Sequence, residues 1–274
     1  MTRLKHTFKD DALFKMIFVQ NPDLLKRLVS ELLAIRYESI EEFKITNPEM
    51  PSDFVGKKFC QLDIIMVVDG RRVDLEIQVR DEGDYPQRVL FNWARVYSSA
   101  LPEGGDYIDL PQTVIISIIN FKQFRCKDFH SEFAPLEVTR HELLTDKLRL
   151  HFYELPKLPA TVSADDGLRL WLTLFKAKTK EELAKIKALG VPVMTKAIEA
   201  YESVSVSPEF LEIERLRSKA RHNEAAALRH ARQEAQHKTS LVIAKNLLRK
   251  NLSIDDIVDS TGLTRVEVEN LRSS

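Results

Sequence analysis

Gln61–Arg80, QLDIIMVVDGRRVDLEIQVR, reads as a β-hairpin whose turn is fixed by its own dipeptide. Asp69-Gly70 suits a two-residue type I′ loop, because both central residues need positive φ, which Gly adopts freely and Asp better than most. Val68 then faces Arg71, Val67 faces Arg72, Ile65 faces Asp74 and Asp63 faces Glu76. Side chains alternate along a strand, so Leu62, Ile64, Met66, Val68, Val73, Leu75, Ile77 and Val79 share an apolar face. The opposite face carries Asp63, Asp74, Glu76 and Gln78, with Gln61, Arg72 and Arg80 around them.

Like charges directly opposite one another on a sheet are destabilising. The Asp63–Glu76 pair persists if it is fully solvated, if Arg72 or Arg80 neutralises it, or if a divalent cation lies between the carboxylates. Hard cations such as Mg²⁺ take oxygen ligands and use one or two protein carboxylates with water and phosphate oxygens. Asp74, opposite Ile65 and nearer the turn, is expected to be solvated.

The 274 residues suffice for one large domain or for a core domain with an appendage. Hydrophobic residues make up 44% and 14 are Phe, enough for a substantial core. The 41 acidic and 41 basic side chains cancel, so bulk charge announces no nucleic-acid partner. Cys60 and Cys126 are far apart and belong to no CxxC or Cys/His cluster, which points to a reduced chain without structural zinc. The first residues, MTRLKHTFKDD, hold no apolar signal core, and the longest apolar run, TVIISIINF at Thr113–Phe121, is too short to span a bilayer. A cytoplasmic protein with no membrane partner is expected, with that run as a buried strand.

Upstream of the hairpin, DALFKMIFVQ (11–20) places Leu13, Phe14, Ile17 and Phe18 at helical spacing, Asn21-Pro22 stops it, and a second helix follows from Asp23. Residues 43–60 look extended and loop-rich. Downstream come a helix around Tyr85–Leu101, the buried strand, and a further strand from Leu143 to Tyr153. Strands and helices interleaved in this way argue an α/β domain over residues 1–158. Residues 159–239 read as a helical extension ending in a long polar helix from 208 to 238. Residues 240–274 read as a small module that opens with a helix over 240–250. There Ser253 with Asp256 and Thr264 with Glu267 form capping boxes around Gly262, a helix-turn-helix arrangement. Its last helix carries Glu267 and Glu269 beside Arg265 and Arg272, and carboxylates facing phosphates weaken binding.

The ordered set DALFK (Asp11–Lys15), Leu62-Asp63, LEIQV around Glu76 and Gln78, the helix QRVLFNWARVYSSAL, the strand TVIISIINF and the tail IAKNLLRKNLSIDDIVDSTGLT resembles the recombination-promoting nuclease and transposase family of the PD-(D/E)XK superfamily. The resemblance is densest over 8–121 and 240–270. It implies a restriction-endonuclease-like core, a mixed sheet flanked by helices, followed by an all-helical C-terminal region. It further implies a DNA endonuclease that hydrolyses phosphodiester bonds with Mg²⁺ or Mn²⁺ and promotes recombination. The alternative is a catalytically weak DNA-binding, regulatory or self-assembling protein that retains the fold. The metal would be held by Asp63, Glu76 and the backbone carbonyl of Ile77. Gln78 would stand where the superfamily usually has Lys, Asp11 would close the site from the first helix, and Gln87 and Arg88 would help hold a phosphate. Arg265 and Arg272 are the candidate DNA contacts of the tail. DNA is the implied partner, and two cuts on a duplex would most easily come from a homodimer.

Overall fold

The computed structural model describes residues 2–47 and 63–272. Gln61, Leu62 and Cys60, with the loop prolines Pro48 and Pro51, lie outside the described residues. The chain divides into two compact units, Met1–Ile213 and Glu214–Ser274.

The first unit is built on a six-stranded mixed sheet. Helix α1 (Asp11–Gln20) is capped by Asp10, whose side chain accepts from the Leu13 N–H, and Pro22 opens α2 (Pro22–Leu32). Strand β1 (Phe43–Ile45) leads to the hairpin strands β2 (Ile64–Val68) and β3 (Arg71–Gln78), followed by α3 (Tyr85–Ser98). Then come β4 (Thr113–Ile119), β5 (His130–Phe133) and β6 (Leu148–Glu154). The strand order is β1-β2-β3-β4-β6-β5, antiparallel at both edges and parallel at β3–β4–β6.

The hairpin has the register its turn dictates: Val68 faces Arg71, Ile65 faces Asp74 and Ile64 faces Leu75. Asp69 and Gly70 have φ of 47° and 73°, both left-handed, as a type I′ loop requires. Ile64, Met66, Val68, Val73 and Leu75 are completely buried, and they pack with α1, α2 and the helices α4 (Gly167–Lys176), α5 (Lys180–Lys187) and α6 (Pro192–Val204) in one core. Trp171 of α4 stacks among Phe18 and Phe175 there. Val79, expected on this face, lies beyond the end of β3 and is exposed.

The polar face of the hairpin is closed to water at Asp74 and Glu76, while Asp63 and Gln78 are half-buried. Helix α3 lies over it, anchored by the Trp93 indole N–H, which donates to the Thr113 carbonyl at 3.0 Å, and by a small core of Tyr85, Val89, Ile115, Ile119, Leu150 and Phe152. The expectation that Asp74 is solvated therefore fails: it is 2% exposed. A hairpin read alone has two free faces, whereas β3 pairs on both sides and is covered on both faces, as parallel strands are.

Helix α7 runs unbroken from Pro208 to Arg249, so residues 240–250 do not form a helix of their own. Phe210 and Ile213 in its first turns belong to the core of the first unit. In the second unit Ala244, Ile257, Leu263 and Val268 make a small core with α8 (Ile254–Thr261) and α9 (Arg265–Arg272). The Thr264–Glu267 capping box is complete, whereas at Ser253 only half forms: its Oγ accepts from the Asp256 N–H and donates to the Asp256 carboxylate, and Asp256 does not reach back to the Ser253 backbone. Gly262 ends α8 at φ 68°. Among the described residues no helix is long and apolar enough to cross a membrane.

Candidate functional site

The site forms where the start of β2 and the C-terminal half of β3 meet under α3. Continuing the observed register by one pair sets Asp63 beside Glu76. Asp63 immediately precedes β2, and its backbone is held by a side chain: Asn47 Nδ2 donates to the Asp63 carbonyl at 2.9 Å while Asn47 Oδ1 accepts from the Ile65 N–H at 2.7 Å. This two-point clamp imitates a neighbouring strand and fixes the approach of Asp63.

Glu76 is 5% exposed and its Oε1 accepts two hydrogen bonds. One comes from Ser117 Oγ at 2.9 Å and the other, very short, from the Tyr85 hydroxyl. The parallel β3–β4 register pairs Glu76 with Ser117 directly, and Tyr85 opens α3 above them. Asp74, two residues before Glu76, has the same facing, and its Oδ1 has no hydrogen-bond partner among the described residues.

Two buried carboxylates, Asp74 and Glu76, and the half-buried Asp63 thus share one face, and their acidities record it. Burial pushes Asp63 well above the usual carboxylate range, and the charges of Asp74 and Glu76 push it further. Burial, then the Glu76 charge, raises Asp74 to about 8. Burial raises Glu76 as well, against the lowering effect of the Tyr85 and Ser117 hydrogen bonds and the Arg88 charge. Burial and the Glu76 carboxylate raise the Tyr85 hydroxyl well above its ordinary value, so it stays a donor. Lys15 on α1, itself 1% exposed, and Arg95 on α3 are the positive charges that oppose the rise at Asp63 and Asp74.

The other candidates fall as follows. Gln78 ends β3, half-buried, and its Nε2 donates to the Arg80 carbonyl at 2.8 Å. Ile77 pairs with Ile118 in the parallel ladder. Asp11 opens α1, and its Oδ1 accepts from the Ala12 N–H at 3.0 Å. It lies one turn before Lys15 and so on the same face of the helix. Arg88 is half-buried, bonded to Glu82 at 3.0 Å and stacked over the Tyr85 ring, while Gln87 is exposed. In the second unit Arg265 donates to Asp255 at 2.8 Å and Glu269 at 3.2 Å, and Arg272 is exposed.

Sequence reasoning missed Asn47, Asp74, Tyr85, Arg95 and Ser117, and gave Lys15 no role of its own. Ser117 did leave a signal, as the one polar interruption inside the apolar run TVIISII. Tyr85 left none, because only the tertiary placement of α3 brings its hydroxyl to Glu76.

The donor set fits a hard divalent cation. Oxygen ligands are what such ions take, and a dry excess of negative charge with an unpartnered carboxylate oxygen is what a cation would relieve.

A mixed sheet flanked by helices, with an acidic hairpin face under the third helix, is a PD-(D/E)XK-like fold. The chain matches the model of the PD-(D/E)XK nuclease family transposases over residues 8–231 and belongs to that family. No curated protein and no solved structure matches it.

Proposed function

We propose that the protein is a Mg²⁺- or Mn²⁺-dependent DNA endonuclease, acting in the cytoplasm, whose cuts promote recombination. The observation that carries this reading is the hydrogen-bonded, buried Glu76 set beside Asp63 on a face that also holds Asp74. Family membership supports it, since the family is one of nucleases and transposases.

Asp63, Glu76 and the Ile77 carbonyl would hold the cation, which when bound supplies a Lewis acid for the phosphate and lowers the pKa of a water. The chain's own groups do the positioning. Ser117 and Tyr85 restrict Glu76 to one orientation, and Asn47 does the same for the backbone at Asp63. Gln78 carries no charge and can only hydrogen-bond. Its amide donor is directed at Arg80, so positive charge facing the carboxylates comes from Lys15, Arg88 and Arg95. Arg88 and Gln87 lie on α3 next to Tyr85, suitably placed for a phosphate, and a homodimer would supply two such sites to a duplex. For Arg265 to meet a phosphate, its bonds to Asp255 and Glu269 must first be released.

The engagement of Gln78 with Arg80 favours a second reading, a DNA-binding protein that cleaves weakly or not at all. Supercoiled-plasmid nicking by the purified chain, with Mg²⁺, Mn²⁺, Ca²⁺ or EDTA, separates the two. The nuclease reading expects nicking with Mg²⁺ or Mn²⁺ alone and none from folded Asp63→Ala or Glu76→Ala. Equal behaviour of wild type and variants would leave only the binding reading.

A further inference from the structure

The far edge of the sheet carries an apolar surface that the carboxylate site does not use. Strand β5 pairs with β6 on one side and ends the sheet on the other. The chain leaves β5 in a short hairpin arm, residues 135–144, held by its own hydrogen bonds. The Leu144 N–H donates to the Pro135 carbonyl at 3.0 Å, the Glu137 N–H donates to the Glu142 carbonyl at 2.8 Å, and Leu136 bridges Leu143. The Glu137 carboxylate closes the tip by accepting from the Thr139 and Arg140 N–H groups. The arm is thus an ordered element, and its outside is apolar. Val138 is 88% exposed, Leu144 is 81% exposed, and Leu136 and Leu143 are exposed as well.

Beside the base of the arm lies a hollow of about 320 Å³, lined by Pro86, Leu90, Phe124, Phe133, Leu148 and Phe152. Phe124, Phe133 and Phe152 pack ring against ring with centroids 5.0 to 5.6 Å apart, which makes its floor firm. Leu90, Phe133 and the four apolar arm residues together leave roughly 600 Å² in water, the top of the range for the largest apolar patch of a soluble monomer. Two copies meeting here would cover about 1,200 Å² of apolar surface, which alone reaches the lower bound for a whole stable interface.

We propose that this patch is the contact surface of a homodimer, in which each copy seats the apolar residues of its arm in the hollow of the other. A second copy fits because the patch carries a projection and a hollow side by side, and a two-fold axis sets each against its complement. The open edge of β5 lies within the patch, and the same axis would bring two β5 strands together antiparallel, covering both edges. Arg140, the sole Lys or Arg of the arm, lies 3.9 Å from Glu137 and 3.7 Å from Glu142, so its charge is matched and the arm does not select for phosphate. The inference gives the proposed homodimer a surface, and it does not rest on the carboxylate site.

The test is the mass of the intact chain in solution, by sedimentation velocity and light scattering over a wide range of concentration, for wild type, Val138→Asp, Leu144→Asp and Leu228→Asp. Leu228 is 66% exposed on α7 in the second unit and controls for the loss of any exposed apolar side chain. The expected result is a wild-type dimer of twice the 31.6 kDa chain, unchanged in Leu228→Asp. Each arm variant should raise the dissociation constant at least about tenfold, the scale of an interface hot spot. Both substitutions fall on exposed positions, and far-UV circular dichroism with thermal unfolding checks that the variants fold. In wild type, hydrogen exchange at the arm amides should slow as protein concentration rises. A wild-type monomer at every concentration, or a dimer whose dissociation constant is the same in both arm variants, would overturn the inference. Either result leaves metal-dependent nicking, the test of the nuclease reading, as it stands.

Discussion

Ser117 Oγ lies 2.9 Å from Glu76 Oε1, across a parallel strand pair in which the two residues are direct register partners. With the Tyr85 hydroxyl on the same oxygen, the carboxylate is held from the sheet and from the helix above it. A hydrogen bond to a charged group contributes about 1.5–3 kcal/mol. Tyr85→Phe should therefore lower stability at neutral pH by about 1.5–3 kcal/mol in urea unfolding, and Ser117→Ala by a comparable amount. The double variant should lose less than the sum, since both donors serve one oxygen.

The metal-free protein should become less stable as pH rises from mildly acidic to mildly basic. Asp74 titrates at about 8 in the folded state and near 4 when unfolded. Between these values the folded chain binds more protons, so stability falls with rising pH. Asp63 and Glu76, shifted in the same direction, add to the fall. Thermal unfolding in EDTA from pH 5 to pH 8 should show a declining melting temperature, and Asp74→Asn should flatten the decline. Mn²⁺ should bind more tightly at the upper end of the range, because its ligands must be deprotonated.

Lys15 faces Asp63 and Asp74 from α1 while almost completely buried. Lys15→Met keeps the bulk and removes the charge. Leaving buried carboxylates without their cation costs about 3–5 kcal/mol, so Lys15→Met in EDTA at pH 8 should be destabilised on that scale. Added Mn²⁺ should recover part of the loss, because it supplies positive charge at the same carboxylates. Chemical denaturation with and without Mn²⁺ measures both effects.

Gly70 has open space where a Cβ would stand, at φ +73°. Gly70→Ala meets no neighbour, and its cost is that of a left-handed backbone alone, about 1–2 kcal/mol. Equilibrium unfolding should show that loss. Because the hairpin register is retained, the Mn²⁺ affinity of the folded state should not change.

The hairpin was readable because its information is local: Asp69-Gly70 sets the turn, and the alternation of Val and Leu with Asp and Glu sets the faces. From these alone Asp63 and Glu76 come together. What was not readable is what covers the polar face. Asp74 looks like a solvent residue until β4 pairs with β3 and α3 closes above it. Arg95 and Tyr85 recur along a helix whose docking side is set by Trp93 reaching the Thr113 carbonyl. Strand β5 leaves no signal in the sequence, because His130–Phe133 is short, sits at a sheet edge with its first two residues half-buried and its last two exposed, and carries no alternation. The unbroken α7 looks like two helices in sequence because its apolar residues thin out between Ile213 and Leu241, whereas helix continuity depends on backbone propensity, and the Ala-, Arg- and Glu-rich middle has plenty.

The parallel pairing of β3 with β4 also places the site late in the life history of the chain. The hairpin can close by itself as soon as its turn is made, on the microsecond scale of such loops. Ser117 is forty-one residues beyond Glu76, and closing that distance is a slower, non-local event. Until it happens, Asp63, Asp74 and Glu76 stand in water at their ordinary acidities, and the work of drying them falls on the step that docks β4 and α3. A divalent cation present during that step would lower its cost, so refolding should run faster in Mn²⁺ than in EDTA. The ion would then serve as a folding partner before it serves any reaction.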